Sequence, residues 1–407
     1  MKKVIFIAST LNTGGAQKVL SNIVMKLPEE YHAVIVLNDA QNIVYPYKGE
    51  IVDLGFRPKE NKMSLWYQGM VFIKRIIALR KLKRTGEYIA AVSFLDSANV
   101  ANILSGKKYC RTIVSVHNNL TESASSRIYK YLVNPMVRVL YGKADKVVAV
   151  SKGIEYDLIH NLRLSPENIV TIYNGHDIDK IREMSEEPIP ENCKSWFEGK
   201  GPFLVTMGRM NYQKGQWHLI RAMRKIVGKY PDVKLLLLGD GELRESLETL
   251  IQKYQLEQNI ILCGFLDNPF AILKKCDLYV FPSLFEGFPN ALIEALAAGT
   301  PCISADFHSG AREILAPDLP VNGDGVEKIS YVKYGVLVPV CDGKWREQEE
   351  LTKEEETLAE GVLELLAQPD KMEQYRAKAA EAVVALDSDT MVNEWMKVVE
   401  MKHGRRL

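Results

Sequence analysis

The sequence predicts an α/β protein made of two Rossmann-like, doubly wound domains in tandem. At 407 residues the chain is too long for one ordinary domain core. Short, almost wholly apolar runs alternate with longer segments of helical periodicity, on both sides of a break at 183–202. Apolar strands of this kind belong to parallel sheets that helices cover on both faces. We therefore expect ligands to collect at the carboxyl ends of the strands.

The apolar runs predict five strands in the first half and six in the second. They are KVIFIA, HAVIVL, YIAAVSF, TIVSV and KVVAV, followed by FLVTM, VKLLLLG, NIILCG, DLYVF, PCISA and YGVLVPV. Between the halves, residues 183–202 begin with acidic residues and contain proline and glycine, which is typical of a linker. This organisation predicts a first domain at 1–182, a linker at 183–202 and a second domain at 203–387.

Two helical patterns follow the last predicted strand, at about 352–384 and 389–403. The second pattern is amphipathic. An amphipathic helix needs a surface on which to bury its apolar face. We expect residues 388–407 to pack back on the first domain.

The composition is typical of a soluble globular protein, with 47% hydrophobic and 25% charged residues. The six cysteines are scattered singly, which indicates neither a zinc site nor a disulfide framework and favours a reducing cytoplasm. The amino terminus MKKVIFIAST resembles a signal peptide in its two lysines and apolar run. The run is shorter than the roughly 7–15 apolar residues of a signal-peptide core. No run approaches the roughly 18 apolar residues of a spanning helix. We expect a cytoplasmic protein that is soluble or lies peripherally on the inner face of the membrane.

The net charge of +1 conceals a basic first half, because residues 1–180 carry +10 and the remainder carries −9. A basic half suggests an anionic partner. No nucleic-acid-binding motif is present, so nucleic acid is not an expected partner. An anionic membrane surface is the partner that we expect for this half.

The segment 64–84 is the candidate for such a membrane contact. Its apolar positions are Trp66, Met70, Ile73 and Ile77, and its cations are Lys74, Arg75, Arg80, Lys81, Lys83 and Arg84. A helix of this kind can lie on an anionic bilayer, with each cation contributing about 1 kcal/mol. A helix that covers the sheet and exposes its lysines to water explains this stretch equally well, and the charge of the whole half favours the membrane.

The loop GRMNYQKG predicts an anion-binding site. A strand ends at Gly208, and a short polar loop presents Arg209 and Lys214 before a helix that starts near Gly215. Two cations beside a helix amino terminus attract a diphosphate, because the helix dipole and the charges add. The alternative is an ordinary loop with solvated charges.

The stretch SLFEGFPNALIEALAAGTP predicts a second site of this kind. Pro289 fits the first helical position, which leaves free the amides of Asn290, Ala291 and Leu292. The helix is apolar all round and therefore buried, so the carboxylate of Glu294 needs hydrogen-bond donors, such as ligand hydroxyls, or a protein cation. For Glu286, which lies in the loop, solvation is the stronger alternative.

These motifs occur together and in a fixed order along nearly the whole chain. They are NTGGAQKVL, SVHN, YNGHD, GRMNYQKG and the E-x7-E pattern EGFPNALIE. In this combination the chain resembles the retaining glycosyltransferases of family four, which have the GT-B fold of two facing Rossmann-like domains. Its GGAQ and SFLDSAN stretches are similar to bacterial enzymes that extend polyprenyl-diphosphate-linked oligosaccharides with hexose or N-acetylhexosamine units.

The resemblance implies roles for residues of the second domain. Glu294 would hold the ribose hydroxyls of a nucleotide sugar, and Arg209 and Lys214 would neutralise its diphosphate. Glu286, with the backbone of Gly287 and Phe288, would contact hydroxyls of the sugar. The backbone at 263–268, CGFLDN, is the expected contact for the base.

The resemblance also implies roles for residues of the first domain. Gly14 and Gly15, in the loop after the first strand, would let backbone approach the donor phosphates. His117 would lie near the sugar and the acceptor, although a capping or loop histidine is the alternative. The acceptor side would include Asp96, Asn118 and Asn174. For Asn174 a plain Asn-Gly turn explains the sequence nearly as well.

Two D-x-D strings, at 177–179 and 387–389, resemble metal-binding motifs of another glycosyltransferase fold. Neither follows a strand within a nucleotide domain, and aspartate favours the amino-terminal caps of helices. We interpret both as helix starts, and we expect no metal and no cofactor.

The resemblance implies transfer of a hexosyl group from a nucleotide sugar, which we take to be a UDP-sugar, to a glycan or lipid-linked acceptor hydroxyl with retention. The alternatives are a nucleotide-sugar 2-epimerase on the same fold and a non-catalytic glycan-binding subunit. The presence of Arg209, Lys214, Glu286 and Glu294 together argues against the subunit. A nicotinamide dehydrogenase is disfavoured because no G-x-G-x-x-G follows a predicted strand.

Overall fold

A computed structural model describes residues 1–12, 14–56, 65–121 and 134–401, without the side chains of residues 65–68 and 134. The chain forms two compact units, Met1–His176 with Leu386–Leu407, and Asp177–Ala385. The division therefore falls before the predicted linker at 183–202, which belongs to the second unit and includes a 3-10 helix at Glu191–Phe197. The linker prediction overlooked α6 (Ile178–Ser185), which Asp177 caps and which packs on other helices of the second unit.

The first unit contains a seven-stranded parallel sheet in the order β3-β2-β1-β4-β5-β6-β7. Its strands are β1 (Lys2–Ala8), β2 (Tyr31–Leu37), β3 (Glu50–Asp53), β4 (Tyr88–Phe94), β5 (Arg111–Val116), β6 (Lys146–Ala149) and β7 (Ile169–Thr171). Its helices are α1 (Gly15–Met25), α2 (Leu65–Lys83), α3 (Asp96–Leu104), α4 (Asn134–Tyr141), α5 (Lys152–Tyr156) and α14 (Ser388–Glu400).

The second unit repeats this plan in the order β10-β9-β8-β11-β12-β14-β13, with only β13 antiparallel to its neighbour. Its strands are β8 (Phe203–Met207), β9 (Lys234–Leu238), β10 (Ile260–Gly264), β11 (Leu278–Phe281), β12 (Cys302–Ala305), β13 (Ser330–Val332) and β14 (Gly335–Val338). Besides α6, its helices are α7 (Gln216–Lys229), α8 (Arg244–Lys253), α9 (Phe270–Lys275), α10 (Asn290–Ala297), α11 (Ala311–Leu315), α12 (Lys353–Leu366) and α13 (Pro369–Val383).

The predicted class, two Rossmann-like doubly wound units, is confirmed, and each of the eleven predicted runs contains a strand. The prediction missed β3, β7 and β13. All three are three or four residues long and lie at the edges of the sheets. These short strands are largely exposed or half-exposed, so they lack the apolar run that identifies a buried strand.

The carboxyl-terminal helices differ from the prediction in one respect. The pattern at 352–384 is two helices, α12 and α13, because Pro369 begins a new helix. The last helix, α14, lies in the first unit, where Trp395 is 1% exposed and its ring centroid is 5.9 Å from that of Phe94. Residues 402–407 of the predicted segment lie outside the described ranges.

Helix α2 contains most of the segment expected to face a membrane. One face of the helix exposes Ile73, Lys74, Ile77, Arg80 and Lys81, and Arg84, just after the helix, is also exposed. Two of the six expected surface cations are instead buried, since Arg75 and Lys83 are 2% and 0% exposed. Lys83 tolerates burial because its Nζ donates to two backbone carbonyls and one hydroxyl. The side chain of Trp66 is not among those described.

Two predictions of absence concern the whole chain. Among the described helices, none has both the length and the apolar character needed to cross a bilayer. All six cysteines are free thiols.

In each sheet the strand order reverses once near the middle, between β1 and β4 and between β8 and β11. These two switch points are where open α/β sheets bind ligands.

Candidate functional site

The switch point of the second unit contains an ion pair between two of the predicted site residues. Lys214 follows β8 and Glu286 follows β11, and these two strands are neighbours in the sheet. The Nζ of Lys214 lies 2.6 Å from Oε1 of Glu286. The same ammonium group stands 5.2 Å from the ring centroid of Phe281, the last residue of β11. The sheet topology thus brings together two charges that are 72 residues apart in the sequence.

Glu286 is buried rather than solvated, so the alternative of a solvated loop carboxylate is wrong. The residue is 7% exposed. Its Oε1 also accepts a hydrogen bond from Ser283 Oγ at 2.9 Å, and its Oε2 accepts one from Gln213 Nε2 at 2.8 Å. Gln213 and Ser283 were not predicted as site residues. Their positions, beside Lys214 and three residues before Glu286, are the only sequence signal that marks them.

The backbone after β8 places Lys214 by two local devices. Asn211 Oδ1 accepts the Lys214 N–H at 3.2 Å and so caps a 3-10 turn at Tyr212–Lys214. Gly215 then takes a φ of 60° at the start of α7, and a Cβ there would lie 2.6 Å from the Pro282 carbonyl oxygen. The stem of Lys214 lies over Gly208, where a Cβ would approach its Cε to 3.0 Å. A larger residue at Gly208 would therefore press on the stem of Lys214, and one at Gly215 would press on the backbone of the loop that contains Glu286.

Arg209, the second predicted cation, has a different partner. Its Nε donates to Oε2 of Glu242 at 3.1 Å, and the two side chains are 70% and 55% exposed. An exposed pair of this kind contributes about 0–1 kcal/mol. An anionic ligand can therefore replace Glu242 at little cost.

Helix α10 begins one residue later than the sequence predicts. Pro289 precedes the helix instead of occupying its first position, and two of the three amides expected to be free are engaged. The Asn290 N–H donates to the Phe288 carbonyl and the Leu292 N–H to the Pro289 carbonyl, both at 3.0 Å. The predicted anion site at this helix end is thus reduced to Ala291, because a tight turn satisfies the neighbouring donors.

The body of α10 is buried as predicted, and Glu294 is 6% exposed within it. Glu294 and Glu286 both act on Tyr279, a buried residue of β11. Burial raises the pKa of Tyr279 well above its usual value, and Cys302, Glu294 and Glu286 raise it further. The structure therefore places both carboxylates of the E-x7-E pattern within electrostatic range of one phenol. The expected contact of Glu294 with ribose stays a prediction.

In the first unit, His117 immediately follows β5. Its Nε2 lies 2.9 Å from Ser115 Oγ, and its ring centroid is 5.6 Å from that of Phe94. Burial lowers the pKa of His117 to about 3, although part of the residue surface is still exposed. The imidazole is therefore neutral at physiological pH. The next residue, the acceptor-side candidate Asn118, is exposed.

The glycines predicted to approach the donor lie at the start of α1. Gly15 is the first residue of this helix rather than part of the loop, and Gly14 precedes it with a φ of 145°. The Gly14 N–H points to Tyr45 Oη at 3.4 Å. A Cβ at Gly14 would lie 2.4 Å from Gln17 Oε1, so the position favours glycine. Thr13, in the same motif, lies outside the described residues.

The two remaining acceptor-side candidates also lie in the first unit. Asp96 begins α3, and its Oδ1 accepts a hydrogen bond from Tyr141 Oη at 2.9 Å. Asn174 is 3% exposed and precedes Gly175, where a Cβ would lie 2.7 Å from the Cα of Ser388. The Asn174–Gly175 segment is therefore packed against the start of α14.

Both D-x-D strings are helix starts, as interpreted from the sequence. Asp177 accepts the Lys180 N–H at 3.2 Å, and Asp387 accepts the Asp389 N–H at 2.8 Å. Within the described ranges, no cluster of three or more histidine, cysteine, aspartate or glutamate side chains is arranged to hold a metal.

Comparison with known proteins identifies the family. The model for Glycosyltransferase Family 4 matches residues 13–180, and that for glycosyl transferases group 1 matches residues 190–326. An uncharacterized glycosyltransferase of Methanocaldococcus jannaschii is 30% identical over 357 residues, which cover 85% of this chain and 87% of the relative. The chain belongs to glycosyltransferase family four. The resemblance read from the motifs is thereby confirmed.

Other matches of the glycosyltransferase extend over its full length. A Campylobacter jejuni enzyme, N-acetylgalactosamine-N,N'-diacetylbacillosaminyl-diphospho-undecaprenol 4-alpha-N-acetylgalactosaminyltransferase, is 28% identical over 403 residues, 98% of this chain and 99% of the relative. Sucrose-phosphate synthase from Thermosynechococcus elongatus superposes with a TM-score of 0.76 at 18% identity, over 98% of each chain. Anabaena HepE in complex with UDP and glucose gives 0.73 at 18% identity, over 98% and 99% of the chains. The fold is thus of the GT-B type.

Proposed function

We propose that the glycosyltransferase moves a hexose or N-acetylhexosamine from a UDP-sugar to a hydroxyl of a polyprenyl-diphosphate-linked glycan, with retention at the anomeric carbon. The observation that carries this proposal is the buried cluster of Lys214, Glu286, Gln213 and Ser283 at the switch point of the second unit. The full-length likeness to the Campylobacter enzyme supports the lipid-linked acceptor. The likeness to HepE, described with UDP and glucose, supports the UDP-sugar.

In this reaction the diphosphate leaves with a developing negative charge. Lys214 is 18% exposed and is held by a fixed partner, so its ammonium group is preorganised for that charge. Arg209 adds a second cation once the diphosphate replaces Glu242. Because two protein cations neutralise the leaving group, the proposed reaction needs no metal ion.

Retention follows from front-side attack rather than from a covalent intermediate. Glu286 is the carboxylate best placed to serve as a nucleophile, but its oxygens already accept hydrogen bonds from three side chains. Such bonds stabilise the carboxylate and weaken its attack. The acceptor oxygen therefore bonds to the anomeric carbon as the bond to the phosphate oxygen breaks, and the departing phosphate takes the acceptor proton.

His117 takes part in this proposal as a neutral group. With a pKa of about 3 the imidazole carries no charge at pH 7, so it orients a hydroxyl and leaves charge stabilisation to the second unit.

A peripheral membrane contact completes the proposal, because a polyprenyl acceptor lies in a bilayer. The exposed face of α2 carries three cations beside Ile73 and Ile77, which are 58% and 61% exposed, and the exposed Arg84 follows the helix. Helix α4, which packs on α3 as α2 does, exposes Met136 and Val139 by 52% and 60%. Apolar side chains flanked by cations are what an anionic membrane surface binds.

The test is a panel of UDP- and GDP-sugars incubated with the protein, first without acceptor and then with short polyprenyl-diphosphate-linked glycans. We expect slow hydrolysis of one UDP-sugar and its faster consumption with acceptor. NMR of the product should show the anomeric configuration of the donor, and excess EDTA should leave the rate unchanged. Inverted product, or consumption of only GDP-sugars, would contradict the proposal. Conversion of the donor to its 2-epimer would identify the rival isomerase.

A further inference from the structure

Five cationic side chains are buried in the described part of the chain, and four of them have oxygen partners. The five are Arg75, Lys83, Arg111, Arg221 and Arg312. Arg221 binds Glu355 and Arg312 binds Asp306, each with further backbone carbonyls. Lys83 donates to three oxygens, and Arg111 donates to the Val398 carbonyl at 2.9 Å. The protein therefore satisfies its buried cations as a rule.

Arg75, in α2, departs from that rule. Its Nη1 makes one long contact, 3.4 Å from Ser97 Oγ. Across the described ranges, no hydrogen-bond partner lies within reach of its Nε or Nη2, although the residue is only 2% exposed. Burial lowers the pKa of Arg75 only to about 10, so the group is still charged at neutral pH, and no carboxylate of the described residues pairs with it. A buried charge without a counterion is strongly destabilising, which indicates that a ligand supplies the anion.

The guanidinium is aimed at the amino terminus of α3. Ser97 lies in the first turn of this nine-residue helix, which follows β4 at the switch point of the first unit. The residue before the helix, Leu95, has a φ of 70° and makes no side-chain cap among the described residues. Asp96 and Ser97 are exposed, so a ligand can reach this turn from solvent. Free amides at such a position attract anions.

We propose that the guanidinium of Arg75 and the first turn of α3 form a binding site for a phosphoryl group. Guanidinium groups pair with phosphate oxygens through two parallel hydrogen bonds, and the two nitrogens without partners supply such a pair. The group comes either from the diphosphate of a lipid-linked molecule or from the headgroup of an anionic phospholipid. The site lies in the first unit, so its test does not depend on the donor proposed for the second.

Asp96 is the group that opposes an anion at this site. Its carboxylate lies in the same turn as Ser97, and its Oδ1 is held by Tyr141. The attraction of Arg75 for a phosphoryl group must therefore exceed the repulsion from the Asp96 carboxylate. Removal of that negative charge in Asp96→Asn should tighten binding of the phosphoryl group.

The direct test measures thermal melting with inorganic diphosphate. A Lys214→Ala background that also carries Arg209→Ala lacks both cations of the proposed donor site, which would otherwise bind this probe. At ten times its dissociation constant, diphosphate should raise the melting temperature of this background by about 2–4 °C. The shift should vanish when Arg75→Met is added, persist with the matched control Arg84→Met, and grow with Asp96→Asn. A shift that survives Arg75→Met, or that shrinks with Asp96→Asn, overturns the proposal.

Stability without ligand gives a second readout. Methionine keeps most of the volume of Arg75 and removes its charge, so Arg75→Met should melt at or above the temperature of the parent chain. A melting temperature several degrees lower would make Arg75 a structural residue and would overturn the proposal, whatever its response to diphosphate.

Two further probes distinguish the sources of the phosphoryl group. Farnesyl diphosphate stands for a lipid-linked diphosphate, and vesicles of phosphatidylglycerol stand for a membrane headgroup. Dependence on Arg75 with the soluble probe supports the diphosphate, and dependence with vesicles alone supports the headgroup. Independence from Arg75 with both probes overturns the site.

Discussion

The ion pair of Lys214 and Glu286 shows at the residue scale why two side chains cannot be assigned separate roles. The side chains are 18% and 8% exposed, so neither charge is well solvated without the other. Removal of one partner from a buried pair leaves the second uncompensated. Effects of substitution here therefore combine lost chemistry with lost stability, and each variant needs a structural control.

Replacement of Lys214 by alanine should lower kcat about a hundredfold or more. The reason is the loss of a fixed donor to the leaving diphosphate, which is typically worth about 2.7–4 kcal/mol. Donor consumption at saturating UDP-sugar measures the effect. The matched control is Lys225→Ala on α7. The ammonium group of Lys225 lies 2.9 Å from Oε1 of Glu360 and takes no part in this cluster. Near-parental turnover of Lys214→Ala would exclude the assignment.

Replacement of Gln213 by glutamate tests the arrangement around Glu286. The new carboxylate would stand where Gln213 Nε2 now donates at 2.8 Å, and two adjacent carboxylates raise the pKa of one of them. Below that raised pKa one of the two carboxyl groups is protonated, and its O–H donates a hydrogen bond to the other in place of the Gln213 amide. We therefore expect a rate deficit of roughly ten- to a hundredfold at pH 8 that narrows toward pH 5.5. A deficit independent of pH, or one equal to that of Gln213→Ala at both pH values, would refute this arrangement.

His117 should make stability depend on pH. Its pKa is about 3 in the folded chain, below the value of about 6.5 in the unfolded chain, so the unfolded state binds the additional proton. The contribution of His117 to the free energy of unfolding is constant above pH 6.5. As the pH falls below 6.5 this free energy decreases, by up to about 1.4 kcal/mol per pH unit. Urea unfolding at pH 7 and pH 5 should show a smaller difference for His117→Asn than for the parent. Equal differences would contradict a buried neutral imidazole.

At the scale of elements, the loops after β8 and β11 matter because their strands are neighbours while their sequences are far apart. Helix α14 is a second case in which elements distant in sequence lie together. It is the last described helix, yet it completes the core of the first unit with Trp395, Met391 and Val392. Elements distant in sequence thus decide the stability of the unit that contains His117 and Arg75.

Trp395→Ala should destabilise the first unit by about 3–5 kcal/mol, because it removes a fully buried aromatic side chain. Urea unfolding followed by circular dichroism measures the change. The control is Val384→Ala, since Val384 is 67% exposed and should shift the free energy of unfolding by less than about 0.5 kcal/mol. A shift of similar size in both variants would show that α14 adds little to the core.

At the scale of the whole molecule, charge is divided between the two halves of the chain, +10 against −9. The exposed face of α2 contributes Lys74, Arg80 and Lys81 to the basic half, and Arg84 follows the helix. If this face binds membranes, attachment should depend on salt, because surface charges are screened within about 10 Å at 0.1 M.

Sedimentation with phosphatidylglycerol vesicles should show binding at low salt that weakens at 0.5 M. The variant with Lys74, Lys81 and Arg84 all changed to glutamine should bind at least about tenfold more weakly, at about 1 kcal/mol per cation. Neutral phosphatidylcholine vesicles are the control. Equal binding of the parent chain to both lipids would remove the electrostatic contact from the proposal.

The sequence by itself determined the two doubly wound units, the family and the loop cations, since apolar strand runs and motif spacing are local features. It missed the short edge strands, the start of α10 and the burial of Arg75 and Lys83, because exposure depends on what packs against a residue. Only the tertiary structure decided that Gln213 and Ser283 hold Glu286, and that the buried guanidinium of Arg75 faces the start of α3 with two nitrogens that have no hydrogen-bond partner among the described residues. These relations depend on which loops and helices the fold brings together, and no local sequence pattern encodes such distances.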